Sequence, residues 1–166
     1  MDATTLRSIQ QPLKDAYREE AGRALVTLRA SGSLGEGVSC SVDTGRAIAE
    51  AGLHPATGGD GSQLCSGDML LEALVACAGV TMAAVATSMG LDIGDARVHA
   101  EGDIDFRGTL GVNKEAPVGF RDIRLRFEID RDLDDEVLAK LVELTERYCV
   151  VLQTIRSAPN LVTSRG

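Results

Sequence analysis

The chain has no tryptophan and few aromatic residues, which make up 3% of its 166 positions. Its hydrophobic fraction is nevertheless ordinary, at 44%. Alanine, valine, leucine and isoleucine must therefore build the core. Such small side chains allow helices to pack closely and leave room for a partner subunit. The length suits a single domain with a core large enough to fold without disulfide bonds or a metal.

Positive charge is also scarce. No cluster of Lys and Arg is longer than two residues, and the formal net charge is −8. This balance excludes nucleic acid and an anionic membrane as main partners. The first residues, M-D-A-T-T-L-R, lack the apolar core of a secretory signal. Four cysteines are too few for a secreted disulfide scaffold, so we expect a cytoplasmic protein with reduced thiols.

Metal-binding patterns are missing as well. The sequence has no C-x-x-C and no H-x-x-x-H, and its only histidines are His54 and His99. It therefore predicts neither a metal site nor a cofactor. A nucleophilic pair between a cysteine and one of these histidines remains an open alternative.

One apolar segment requires a comparison with membrane spans. Residues 69–89 hold a single charge, Glu72, and are about long enough to cross a bilayer. Gly79, Thr81 and Thr87 interrupt the segment, and no Lys or Arg flanks it. We therefore expect a helix that is buried on all sides inside a soluble assembly, with no membrane partner.

The hydrophobic patterns divide the chain into a polar, partly helical lead-in at 1–21 and one domain at 22–166. A long helix is predicted at 67–89, with Ser66 as its N-cap and Gly90 after its end. A second helix is predicted to start near Asp132. Strands are predicted at 22–30, 38–42, 96–106, 120–129 and 161–163, and 43–52 is either a third strand or a short helix. This order predicts an α+β fold in which antiparallel sheet wraps around helices.

Two cysteines stand out by their settings. Cys77 lies within the long helix, in L-V-A-C-A-G-V-T-M, where apolar surroundings favour an unreactive thiol unless an Arg from another element approaches it. Cys149 ends the second helix, in E-R-Y-C-V-V, where we expect exposure. A helix C-terminus disfavours a thiolate, which suits a resolving cysteine better than an attacking one. Each is also consistent with a structural role.

The other two thiols are less distinctive. Cys65 precedes the long helix, where a lowered pKa is easiest to arrange. It therefore competes with Cys77 as nucleophile or pairs with it, and the sequence leaves both alternatives open. Cys40 alternates with Val38 and Val42 on one strand face, which predicts a core position.

The stretches S-G-D-M-L-L-E-A-L-V-A-C-A (66–78) and E-R-Y-C-V-V-L-Q-T (146–154), separated by strands, resemble the OsmC/Ohr family of thiol-dependent hydroperoxide reductases. The resemblance extends over about residues 22–163. It implies an intertwined homodimer with two long central helices wrapped by antiparallel sheets. It also implies that Cys77 attacks a hydroperoxide and becomes a sulfenic acid, that Cys149 then forms a disulfide with it, and that an external dithiol reduces this disulfide.

The chain departs from the best-studied branch of that family at three places. That branch has Glu ten residues before the first cysteine, where this chain has Gly67 followed by Asp68, which supports the site only if it lies in the loop or acts across the dimer. It has an Arg at the first hairpin tip, which here reads S-G-S-L-G, so that either Arg29 or Arg46 substitutes or the site is not tuned. It also has Pro where this chain has Val150.

These observations predict a peroxidase of the oxidative stress response that reduces organic hydroperoxides. The alternative is a non-catalytic dimer of the same fold that binds a small apolar ligand. An Arg beside Cys77 favours the enzyme, whereas an apolar tunnel with neither Arg nor acid beside Cys77 favours the binding protein.

Overall fold

The computed structural model describes residues 3–34, 40–42 and 51–165, and positions 3–7, 28–30, 34 and 40–42 by their backbone alone. Within these ranges the chain forms five helices and six strands. The helices are α1 (Ala3–Glu19), α2 (Ser66–Met89), the single turn α3 (Phe106–Thr109), α4 (Asp135–Tyr148) and α5 (Val150–Arg156). The strands are β1 (Leu25–Leu34), β2 (Cys40–Val42), β3 (Ala51–Gly52), β4 (Leu64–Cys65), β5 (Arg97–Asp105) and β6 (Phe120–Glu128).

Four strands make one antiparallel sheet in the order β2-β1-β5-β6. Strand β5 is central, with Ala100 opposite Ala30 of β1 on one side and Leu125 of β6 on the other. Strands β3 and β4 form a separate two-residue parallel pair. This pair joins the loop before α2 to the start of that helix.

Alternation along β5 and β6 separates the two faces of the sheet. Val98 and Ala100 are fully buried on the inner face. On the outer face, the guanidinium of Arg124 donates to the Asp103 carboxylate at 2.6 Å and holds the pKa of that carboxyl at about 2. One apolar and one charged face are what a sheet needs when helices cover only one side.

Helix α2 lies across the inner face of the sheet and forms the centre of the core. It ends at Gly90, whose φ of 68° is a left-handed conformation that glycine adopts without strain. We define its inner face as five residues without solvent exposure: Leu71, Leu74, Val75, Ala78 and Met82. By length and composition α2 could cross a membrane, but a core helix meets the same criterion, and in this fold the inner face packs within the chain.

The second helical segment is broken at a single residue. Asp134 caps α4 by accepting a hydrogen bond from the Glu136 amide at 2.9 Å. The helix stops at Tyr148 because Cys149 adopts an extended conformation, and α5 begins at the next residue. Cys149 therefore joins two helices, whereas the sequence predicted only one helix that ended there.

The N-terminal lead-in is a full helix that packs on the domain. Tyr17 of α1 is buried and its hydroxyl donates to the Ala56 carbonyl at 2.7 Å. Gln10 donates to the neighbouring Thr57 carbonyl at 3.2 Å. Helix α1 thereby contacts the loop that precedes α2.

Several predicted boundaries were wrong. The final strand at 161–163 does not form, and these residues are exposed. The N-cap of α2 is Cys65 instead of Ser66, because the helix begins one residue earlier than predicted. Residues 21–24 form a 3₁₀ turn, so that the first strand begins at Leu25 instead of at residue 22. Of the ambiguous segment 43–52, only Ala51 and Gly52 lie within the described residues, and they form β3.

Candidate active site

Cys77 and Cys149 lie within hydrogen-bonding contact of each other, although 72 positions separate them. Cys77 comes from the middle of α2 and is partly exposed. Cys149 comes from the junction of α4 and α5 and is fully buried. Both are free thiols in this structure. The fold therefore brings into contact the two cysteines that the sequence singled out.

The pKa of Cys77 is lowered from its ordinary value. Burial acts to raise this pKa, but four hydrogen-bond donors together outweigh burial. Two of them are backbone amides of the first turn of α5, from Val151 and Val150. The others are the thiol of Cys149 and the hydroxyl of Thr81. A thiolate at Cys77 is stabilised because hydrogen bonds to the charged form favour ionisation.

Cys149 responds in the opposite direction. Burial is the main cause that raises its pKa to about 11, although the Leu152 amide acts to lower it. Its hydrogen bond to Cys77 and the repulsion between two negative sulfurs raise it further. When the pair has lost one proton, the remaining proton therefore stays on Cys149, which donates it toward the sulfur of Cys77. Of the two sulfurs, Cys77 is the one that loses its proton more readily.

One expectation about these thiols was wrong, and another stays a prediction. The sequence predicted that Cys149 would be exposed, but the break before α5 turns its side chain into the core. The arginine that the sequence required beside Cys77 stays a prediction, because the side chains of Arg29 and Arg46 are not described. In the part of the chain whose side chains are described, no arginine is among the groups that shift the pKa of Cys77, and backbone amides provide the donors instead.

The surface around Cys77 is apolar. We define the outer stripe of α2 as Leu70, Ala73, Cys77, Val80 and Ala84, which follow one another at steps of three and four residues and therefore share one face. Leu70 is 40% exposed and Val80 is 38% exposed, unlike the inner face. Cys77 is thus part of an uncovered apolar strip.

Two concave surfaces adjoin this stripe. A groove of about 500 Å³ lies between α2 and α4, and its lining residues include Val80, Thr81, Val85, Leu144 and Tyr148. A larger groove of about 930 Å³ runs between β6 and α5. Its wall includes Leu70, Phe120, Ile123, Leu152 and Leu161. The first groove is bordered by Thr81, which contacts Cys77, and the second contains Leu70, at the N-terminal end of the stripe.

Cys65 is not part of the thiol pair. It caps the start of α2, twelve residues before Cys77, which corresponds to about 18 Å along a helix. It instead lines a cavity of about 370 Å³ together with His54, Phe106 and Phe120. Pairing of Cys65 with Cys77 inside one chain is therefore excluded by distance.

Asp68 also lies away from Cys77. Burial raises the pKa of this carboxyl, and His54 beside it acts to lower that pKa. His54 stacks on Phe106 with ring centroids 5.0 Å apart, and burial lowers the pKa of its imidazole. The Nδ1 atom of His54 accepts a hydrogen bond from the Ala56 amide at 3.0 Å. Asp68 therefore interacts with a histidine near the start of α2 and not with the thiols of its own chain.

The two arginines named from the sequence remain unassigned to the site. Arg29 lies in β1 opposite Glu101, and only its backbone is described. Arg46 lies outside the described residues, and so does the tip of the first hairpin. Cys40 lies in β2 and is described by its backbone alone.

Three functional groups were missed by the sequence predictions. The amides of Val150 and Val151 carry no sequence signal, since every residue except proline has one. Thr81 has a signal, because it follows Cys77 by four residues and therefore lies on the same side of α2. Among the described residues, no group of three or more His, Cys, Asp or Glu side chains is arranged to hold a metal ion.

The fold and the thiol pair together define a class of protein: an α+β domain with a four-stranded antiparallel sheet, a central helix and two cysteines in contact beside that helix. The chain belongs to the OsmC-like protein family, whose model matches residues 59–164. That region includes Cys77 and Cys149, whereas α1 and residues 51–58 precede it.

A solved structure supports the fold. The crystal structure of an OsmC-like hydroperoxide resistance protein from Jannaschia sp. CCS1 resembles this chain with a TM-score of 0.59 at 16% sequence identity. The match covers 83% of this chain and 91% of that one. No curated protein matches the sequence.

Proposed function

We propose that this protein is a thiol-dependent peroxidase that reduces organic hydroperoxides in two steps, with Cys77 as attacking and Cys149 as resolving cysteine. The observation that carries this proposal is the contact between two free thiols whose pKa values shift in opposite directions. A structural cysteine pair needs no such difference. Perturbed ionisable groups beside an open groove are typical of functional sites.

The chemistry follows from this contact. The Cys77 thiolate attacks the distal oxygen of the hydroperoxide, an S–O bond forms and the O–O bond breaks. The alkoxide leaves and takes a proton from water, which gives an alcohol and a sulfenic acid at Cys77. Cys149 then loses its proton and attacks the sulfur of Cys77, so that a disulfide forms and water leaves. An external dithiol restores both thiols by exchange and is itself oxidised to a disulfide.

The pair also favours this order of events. Before the first step, Cys77 raises the pKa of Cys149 in two ways, as a hydrogen-bond acceptor and as a like charge. A neutral sulfenic acid at Cys77 removes the like charge and weakens the acceptor. Cys149 then loses its proton more readily, at the moment when the second step requires its thiolate.

The surroundings of Cys77 favour a substrate with an organic part. The α2–α4 groove is lined mainly by Val80, Val85, Leu144 and Tyr148, and Tyr148 is 56% exposed. Transfer of an alkyl or aryl group from water to such a surface lowers the free energy of binding, whereas hydrogen peroxide has no apolar group to transfer. The Jannaschia protein is called a hydroperoxide resistance protein, which supports a hydroperoxide as the substrate.

We further propose a homodimer. The second copy would cover the N-terminal part of the outer stripe, at Leu70 and Ala73, and the groove between β6 and α5. This leaves the α2–α4 groove open for substrate. Strand β6 is an edge of the described sheet, and its inner residues Ile123 and Leu125 are only partly buried, which suits an interface. We propose a cytoplasmic location, because the cycle starts from reduced thiols.

A second candidate function is a non-catalytic dimer that binds a small apolar ligand. Two observations favour it: the groove beside Cys77 is mainly apolar, and no described arginine or carboxylate acts on that thiol. The lowered pKa of Cys77 favours the enzyme, because an inert pocket has no need of a stabilised thiolate.

Two cysteine variants test the proposed cycle. We expect Cys77→Ser to abolish consumption of cumene hydroperoxide in the presence of dithiothreitol. We expect Cys149→Ser, assayed without a thiol reductant, to consume one equivalent and stop, because its sulfenic acid cannot be resolved. Cys65→Ser and Cys40→Ser serve as matched controls and should leave turnover nearly unchanged. Stopped-flow measurement of the first turnover, with mass spectrometry of Cys77, distinguishes these cases.

Two results would overturn the proposal. If Cys65→Ser loses the first turnover while Cys77→Ser keeps it, the attacking thiol is Cys65. If the parent protein consumes no hydroperoxide but binds cumyl alcohol, the binding protein is the correct function.

A further inference from the structure

Thr81 differs from two other threonines in the helices of this protein. Thr87 and Thr145 each donate their hydroxyl to the carbonyl four residues earlier, at 2.8 Å, as threonines in helices often do. For Thr81, the residue four positions earlier is Cys77, and its hydroxyl lies within hydrogen-bonding reach of the Cys77 sulfur. Helical spacing accounts for the contact, since side chains at i and i+4 are neighbours.

Thr81 also lines the α2–α4 groove. The groove is otherwise formed mainly by apolar side chains, including Val80, Val85 and Met89. Thr81 is thus a polar group that borders both the thiol and the groove. A molecule bound there would meet the Thr81 side chain next to the sulfur.

The donors at Cys77 have different origins. Two are backbone amides, which no ordinary side-chain substitution removes, and one is Cys149, whose thiol is needed for the proposed second step. The hydroxyl of Thr81 is the remaining donor among the described residues. It takes part in no bond-forming step, so its contribution can be measured separately.

We propose that Thr81 is a positioning residue for Cys77, whose hydroxyl donates a hydrogen bond to the thiolate and holds the sulfur next to Thr81, at the border of the α2–α4 groove. This inference rests on the proposed role of Cys77 as the attacking thiol. The hydroxyl serves one of the purposes for which the sequence led us to expect an arginine. It stabilises the negative sulfur by a dipole and not by a full charge, which leaves the groove without a fixed positive group.

Thr81→Val is the test, because valine keeps the branched shape and loses the donor. The rate of Cys77 alkylation by iodoacetamide is measured against pH, with Cys77 quantified by peptide mass spectrometry. We expect the midpoint to move to higher pH and the rate at pH 7 to fall about tenfold, the effect of losing one hydrogen bond to a charged group. Thr81→Ser should restore the parent profile, and Thr87→Val, on the same helix, should leave it unchanged.

Three outcomes would overturn the inference. An unchanged midpoint in Thr81→Val means that the hydroxyl does not act on the thiolate. A Thr81→Ser profile as impaired as that of Thr81→Val means that the methyl group, through packing, is what matters. An equal shift in Thr87→Val means that any lost helix threonine perturbs the site. If Thr81→Val folds poorly by circular dichroism, Thr81→Ala removes the same donor without added bulk at the γ position.

This readout is independent of peroxide turnover. If the parent protein reduces no hydroperoxide, the proposed function fails, but the alkylation profile still decides whether Thr81 controls the Cys77 thiolate. If the parent is active, the first-turnover rate with cumene hydroperoxide should fall in Thr81→Val by about the same factor as alkylation. Thr81→Ser should keep it.

Discussion

The two sides of α2 are made of the same kinds of residue and have different roles. Val75 on the inner face has no solvent exposure, whereas Val80 on the outer stripe is 38% exposed. The inner face packs on the sheet and on α4, and it contributes to the core. The outer stripe carries Cys77 and borders both grooves. Apolar composition alone therefore does not distinguish a face that stabilises the domain from a face that presents a reactive thiol.

Cys77 and Cys149 show the same contrast between a buried and an exposed position, although the two thiols are in contact. Cys149 lies in the core, where burial raises its pKa to about 11. Cys77 is partly exposed at the edge of the core and its pKa is lowered. The boundary between core and surface passes between the two sulfurs, and in the proposed cycle it separates the attacking thiol from the resolving thiol.

The largest effect is expected from a charge on the outer stripe. Leu70→Glu should convert the proposed dimer to a monomer of 17.5 kDa, because an unpaired carboxylate would be buried at the interface. Light scattering at micromolar concentration measures the mass. Leu25→Glu, at another position with an exposed leucine, should leave the dimer intact. A parent protein that is already monomeric would contradict the dimer proposal.

The next effect compares two valines of α2. Val75→Ala should lower the free energy of unfolding by about 2 kcal/mol, because it removes buried apolar area and leaves a cavity. Val80→Ala should lower it by less than about 1 kcal/mol, because its side chain already contacts water. Urea denaturation followed by circular dichroism provides both values. Equal losses would mean that a partner covers Val80 as completely as the sheet covers Val75.

The smallest effect concerns the pKa of Cys149. In Cys77→Ser, the thiolate that repels Cys149 is absent, so the pKa of Cys149 should fall below about 11. It should stay above its ordinary value, because burial is the larger cause. The thiolate of Cys149 forms as pH rises through this pKa, so its alkylation should begin at lower pH than in the parent. An unchanged profile would mean that burial alone sets the pKa.

Much of the fold could be predicted from residue patterns. Strand β6 was predicted within one residue, because Ile123, Leu125 and Phe127 alternate with charged side chains. The end of α2 was predicted at the correct residue, because Gly90 suits the left-handed position after a helix. The strand at 161–163 was wrong, since apolar residues form a strand only where another strand pairs with them.

Less of the candidate site than of the fold could be predicted from the sequence. Cys77 and Cys149 could be singled out because the first lies within a long apolar helix and the second lies at the end of a helical pattern. Cys149 does lie at a helix C-terminus, as predicted, but its exposure was predicted wrongly, and the arginine expected at Cys77 stays a prediction. The structure provides a buried position for Cys149 and the amides of Val150 and Val151 for Cys77.

The sequence by itself determined most of the longer helices and strands and which thiols belong to chemically distinctive settings. Side-chain periodicity and local capping act over a few residues and can be read from the chain. Only the tertiary structure decided that a new helix begins after Cys149, that Cys149 faces the core, and that this helix directs two amides at the sulfur of Cys77, 73 and 74 positions away. The environment that sets a thiol's pKa depends on donors and burial contributed by distant segments, and packing alone brings those segments together.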